Sequence, residues 1–163
     1  RVKMACLAQL VNVIAPIMTE KGGRALRQTT FYPFRDVSNL ARGKALKLLT
    51  HCEKFESERY GIADTVQTAA SYDEANGEII LFVVNADQAE AQEITIDLRS
   101  FGKVEMIGRT VLHHDDIYAK NTFDDPFKVV PAEAEIIKPA GDGPIEVVVP
   151  AMSWNVMRFK CID

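Results

Sequence analysis

Hydrophobic and polar positions follow different periods in the two parts of this chain. The opening Arg1-Val2-Lys3-Met4 runs without a Ser, Thr, Asp or Asn cap into an amphipathic pattern, which reads as a helix entered part-way along. Near Leu10 the pattern changes to Val11-Asn12-Val13-Ile14-Ala15-Pro16-Ile17. Its β-branched content predicts a short buried strand, with a loop at Glu20-Lys21-Gly22-Gly23 behind it. Across 30–42, Phe31, Phe34, Val37, Leu40 and Ala41 lie at helical spacing, with Pro33 in the first turn and Gly43 placed as a C-cap glycine. Helix, strand, loop and helix make part of a parallel α/β arrangement.

Beyond Gly43 the period shortens to two. Glu93-Ile94-Thr95-Ile96-Asp97-Leu98 alternates strictly, and 77–85 is a continuous apolar run of strand length. Further strands are expected at 44–51, 65–72, 103–112, 134–138, 145–149 and 154–161, with turns at 73–77 and 139–144. Short strands divided by Gly, Pro and Asp turns predict an antiparallel β-sandwich of two sheets. The expected division is therefore 1–43 for the α/β piece and 44–163 for the sandwich.

Composition narrows the function classes. With 47% hydrophobic residues the chain can bury a core, which excludes a disordered segment. Nineteen basic against 23 acidic residues, in no long blocks, leave no footprint for nucleic acid or an anionic membrane. The apolar run 4–18 is broken by Gln9, Asn12 and Pro16 and falls short of the roughly 20 apolar residues a membrane span needs. It also lacks a signal-peptide cleavage site. Cys6, Cys52 and Cys161 are far apart and without metal-ligand spacing, which favours reduced thiols in a cytoplasmic protein.

Few residues invite chemistry. Gln9 and Asn12 sit among Leu7, Leu10, Val11 and Val13, where an amide must find hydrogen bonds to offset its desolvation. Most such amides bond to backbone, whereas one at a strand end in a parallel barrel faces the active site, so both readings stand for Gln9. His113-His114-Asp115-Asp116 offers four ligand types in succession, but neighbours on a strand point to opposite faces, so a solvated strand end is expected. Asp124-Asp125-Pro126 is turn chemistry. Trp154 and Tyr72 are candidates for a sugar platform, with Trp154 assigned to the core. No phosphate loop, nucleophile elbow, metal set or cofactor motif is found.

In Ala5 to Glu20, ACLAQLVNVIAPIMTE, and Arg27 to Phe34, RQTTFYPF, the chain resembles the α-L-arabinofuranosidases of glycoside hydrolase family 51. The resemblance continues through Asn121-Thr122-Phe123, Pro126, Val129-Val130-Pro131 and Ser153-Trp154-Asn155-Val156-Met157-Arg158. It implies a TIM-type barrel followed by a jelly-roll-like sandwich, with 1–43 the barrel's last strand and helix. It implies exo-acting, retaining release of terminal arabinofuranosyl groups from arabinoxylan, arabinan or their oligosaccharides. The two catalytic glutamates would lie upstream of Arg1, so the chain alone is expected to catalyse nothing. The family's sugar-binding glutamine matches Gln9, and Asn12 is kept structural. Leu26 stands where many members carry Trp, which implies a different leaving-group side of the pocket. Homo-oligomers are common in the family. A non-catalytic carbohydrate-binding or assembly module is the rival expectation.

Overall fold

The computed structural model describes residues 4–59, 61–138 and 143–162. Its centre is β7 (Glu78–Asn85), the continuous apolar run, paired antiparallel on one side with β12 (Ser153–Ile162) and on the other with β6 (Val66–Asp73). The register places Ile79 opposite Phe159, Leu81 opposite Met157 and Val83 opposite Asn155, so both strands turn the same parity of side chains inward. A slip of one residue would turn that set to the opposite face, and this fixes the pairing. The sheet is extended to six strands by β9 (Lys103–Leu112) and β10 (Ala132–Glu133) beyond β12, and by β3 (Lys44–Ala45) beyond β6. A bulge between Arg158 and Phe159 breaks the β12–β9 register.

A second, two-stranded layer pairs β8 (Gln92–Ile96) with β11 (Ile145–Val149). The alternation seen in the sequence decides its inner face: Ile94, Ile96, Ile145, Val147 and Val149 join Ile79, Leu81, Val83, Met157 and Phe159 in the main core. Complete burial of each such side chain contributes roughly 1.5–3 kcal/mol. The fold is mainly antiparallel β, as expected.

The other face of the six-stranded sheet carries α1 (Phe31–Leu40). Tyr32, Asp36 and Leu40, four residues apart, face the sheet, where Leu40 and Trp154 pack with Ile80, Phe82 and Val156. Trp154 stacks on Phe82 with ring centroids 5.5 Å apart and donates its indole N–H to Asp36 Oδ2 at 3.1 Å. The Arg35 guanidinium holds the other oxygen of this buried carboxylate at 2.6 Å. Phe34 and Val37, which belong to the expected apolar face, are 42% and 41% exposed, so the helix carries apolar surface beyond its contact with the sheet.

Several expected elements are corrected. Residues 4–16 form neither the opening helix nor the strand at 11–17: Asn12 and Val13 have φ of 65° and 56°, and a turn leads into a hairpin of β1 (Ile17–Thr19) and β2 (Ala25–Arg27). A strand needs paired neighbours to satisfy its backbone, and no described residues flank this one. Residues 1–3 and most of the turn at 139–144 lie outside the described residues. The strand expected at 44–51 is confined to Lys44–Ala45, and that at 134–138 moves to Ala132–Glu133. An unexpected hairpin joins β4 (Lys54–Ser57) to β5 (Gly61–Asp64). Helix α1 ends at Leu40 with Ala41 as its C-cap, so Gly43 is not the cap expected.

Candidate functional site

The chemistry-bearing segment of the sequence, 5–20, gathers at one end of the sandwich around the β1–β2 hairpin. Gln9 lies in the irregular stretch before it, exposed and without a hydrogen bond to any described residue. Asn12 has the structural part: its Oδ1 accepts the Thr19 N–H at 2.7 Å and its Nδ2 donates to Thr19 Oγ1 at 2.9 Å. Its own N–H donates to the Ile17 carbonyl at 2.7 Å, and its carbonyl accepts from Ala15 at 2.9 Å. An asparagine tolerates the left-handed conformation because its short polar side chain bonds locally; Val13, β-branched, is strained there.

The hairpin is closed by Gln28, whose N–H donates to the Pro16 carbonyl at 2.8 Å and whose Nε2 donates to the Ala15 carbonyl at 2.5 Å. Leu26, opposite Met18, is buried within β2. Around the turn, Arg24 pairs with Glu20 at 3.2 Å, and this bond to the guanidinium holds the Glu20 carboxyl below the usual carboxylate range.

A loop of the sandwich meets this hairpin. After β9 the run His113 to Asp116 serves local turns: His113 Nε2 lies 3.2 Å from Asp115 Oδ1, and His114 Nδ1 accepts the Asp116 N–H at 3.0 Å. No metal-holding group of three or more such side chains exists among the described residues. The Asp125 N–H donates to Thr122 Oγ1 at 3.0 Å, in keeping with turn chemistry at Asp124-Asp125-Pro126. Between these turns, Asn121 donates to the Arg27 carbonyl of β2 at 3.0 Å, and Arg24 Nη1 donates to the Phe123 carbonyl at 2.7 Å. The sequence marked Asn121-Thr122-Phe123 only as a matching string, and its contact with 24–27 was not expected.

The aromatic candidates do not form a sugar platform. Trp154 is committed to Phe82 and Asp36, and Tyr72 packs edge-on against Phe101 with centroids 5.0 Å apart. The three cysteines are free.

Residues 1–153 match the family model of the α-L-arabinofuranosidase C-terminal domain. The chain belongs to this family. It is 41% identical over 162 residues to an exo-α-(1→6)-L-arabinofuranosidase of Bifidobacterium longum, covering 98% of this chain and 31% of that enzyme. It is 42% identical over 161 residues to an intracellular exo-α-(1→5)-L-arabinofuranosidase of Bacillus subtilis (strain 168), with the same coverage of 98% and 31%. The solved family 51 α-L-arabinofuranosidase of Bifidobacterium longum superposes with a TM-score of 0.87 at 35% identity, over 98% of this chain and 30% of that one. This arabinofuranosidase C-terminal domain thus spans under a third of the length of these relatives.

Proposed function

We propose that the chain is the C-terminal part of an exo-acting α-L-arabinofuranosidase. That enzyme releases terminal non-reducing arabinofuranosyl groups from arabinoxylan, arabinan or their oligosaccharides with retention of configuration. Residues 1–43 complete its catalytic barrel and 44–163 form the sandwich. Retention needs two carboxyl groups roughly 5–5.5 Å apart, and in this reading both belong to the barrel beyond this chain. Here Gln9 binds the sugar: its amide donates to one arabinose hydroxyl and accepts from another. No metal or cofactor enters the scheme.

The observation that carries this reading is the uncovered apolar segment around Gln9. Met4 is 81% exposed, Leu10 83%, Val13 78% and Ile14 70%. Leaving side chains of this kind in water forgoes roughly 1.5–3 kcal/mol each, and packing into a barrel recovers it. The exposed Phe34 and Val37 of α1 add apolar surface that a further partner could cover. The rival reading as a carbohydrate-binding module needs exposed aromatics on a sheet face, and both Trp154 and Tyr72 are engaged in packing. A cytoplasmic enzyme is supported by the intracellular designation of the Bacillus subtilis relative. Homo-oligomeric assembly is supported by the exposed Phe55 and Ile62 on the β4–β5 hairpin.

In the full-length enzyme Gln9→Ala is expected to lower kcat/KM on an aryl α-L-arabinofuranoside without changing thermal stability. Loss of one neutral sugar contact, roughly 0.5–1.5 kcal/mol, corresponds to about a three- to tenfold fall, and more if the bond strengthens in the transition state. Steady-state kinetics test it. Unchanged kcat/KM would remove Gln9 from the sugar site.

A further inference from the structure

Among the described residues, Asn121 is the one residue of the sandwich whose buried amide spans to the β1–β2 hairpin. It is 7% exposed and fully committed: Nδ2 donates to the Arg27 and Val129 carbonyls, each at 3.0 Å, and Oδ1 accepts the Val129 N–H at 2.7 Å. Its bonds to Val129 hold its own loop closed. The bond to Arg27 leaves that loop and has no part in closing it.

From Arg27 a hydrogen-bonded path runs as far as Asn12, and the three covalent links from Asn12 back to Gln9 complete it. Arg27 pairs with Ile17 across the hairpin, and Ile17 accepts from Asn12 at 2.7 Å. Gln28, the next residue, donates to the carbonyls of Ala15 at 2.5 Å and Pro16 at 2.8 Å, and Ala15 donates to Asn12 at 2.9 Å. Asn12 is three residues from Gln9. A second, independent tether lies at the hairpin's turn, where Arg24 donates to the Phe123 carbonyl at 2.7 Å and places its guanidinium 5.5 Å from the Phe123 ring.

We propose that Asn121 is a positioning residue for the sugar site: the sandwich, through Asn121 and with the help of Arg24, sets where Gln9 stands. The inference rests on the reading of Gln9 given above. Its physical basis is that a displacement of about 1 Å in a binding group can cost on the order of a hundredfold in rate, so a rigid support outside the barrel has a direct effect on catalysis.

The test is a double-mutant cycle in the full-length enzyme, read as kcat/KM on an aryl α-L-arabinofuranoside. Asn121→Asp preserves shape and the acceptor for Val129 N–H while replacing the donor to the Arg27 and Val129 carbonyls by an oxygen, so Arg24→Met, which leaves the Val129 bonds intact, is run beside it. With Gln9 present it should lower kcat/KM by about three- to fivefold, no more than Gln9→Ala itself; in the Gln9→Ala background the same change should cost less than about twofold, because residues acting through one another are not additive. Thr122→Ala, which disturbs only the neighbouring turn, should leave kcat/KM near wild type.

Equal losses in both backgrounds would overturn the proposal, as would no loss with Gln9 present. No effect of Gln9→Ala by itself would overturn the assignment of Gln9, and this inference with it. Should Asn121→Asp fail to fold, Arg24→Met, which severs the second tether while preserving the aliphatic stem, takes its place in the cycle under the same criteria.

Discussion

Gly43→Ala should destabilise the fold by about 2–5 kcal/mol, far beyond what the loss of a surface glycine usually costs. Two effects add here. Gly43 has a φ of 74°, where a side chain costs on the order of 1–2 kcal/mol. A Cβ at this position would also lie 2.1 Å from the Tyr72 carbonyl oxygen and 2.8 Å from the Asp73 Cα, both backbone atoms that cannot rotate away. Relieving such an overlap by shifting backbone adds roughly 1–3 kcal/mol. The shift would pull β3 from β6, since Lys44 pairs with Tyr72 directly after the glycine. Gly22→Ala separates the effects, because Gly22 has a similar φ of 68° with nothing within 4 Å of the added carbon. Urea unfolding should show a loss of only about 1–2 kcal/mol for Gly22→Ala. Equal losses for the two variants would refute the close approach of β3 and β6.

The second large effect lies in the core. Phe159 is fully buried, and its register places it opposite Ile79 on one side and Met106 on the other. Phe159→Ala should cost about 3–5 kcal/mol, the removed ring leaving a cavity that paired strands on both sides cannot close. A chain of this length loses roughly 2–4 °C in Tm per kcal/mol, so calorimetry should record a fall of about 6–20 °C. A fall of a degree or two would mean that the two layers do not pack through β12.

The sandwich was legible in the sequence because its strands bury one face each. Lys103–Leu112 and Ile145–Val149 stand where they were expected, Glu78–Asn85 starts one residue later than expected, and Ser153–Ile162 is longer by a residue at each end. Sequence period reports burial, and burial here is set by contacts within the chain. The failures share a cause. Val11 to Ile14 carries strand-forming residues but pairs with no described neighbour, and local hydrogen bonding by Asn12 wins. The strand expected at 44–51 shrinks to Lys44–Ala45, with Leu49 83% exposed. The β4–β5 hairpin, Lys54–Ser57 with Gly61–Asp64, shows the short alternation of a hairpin but buries little, so its period was weak.

The candidate site was legible only by resemblance. Gln9 has no local pattern that distinguishes a ligand contact from a structural amide, whereas Asn12 proves structural through its bonds to Thr19. The tether from Asn121 to Arg27 spans 94 positions, and no periodicity connects residues so far apart. Only the fold brings them together.

The central claim, that this chain brings Gln9 to the sugar site of a larger arabinofuranosidase, is tested most directly by a crystal structure of the full-length enzyme with arabinose bound. The account predicts Gln9 within hydrogen-bonding reach of an arabinose hydroxyl, about 2.7–3.2 Å, with Met4 to Ile14 packed into the barrel. Arabinose bound elsewhere, or Gln9 turned away from it with this segment still exposed to solvent, would contradict it.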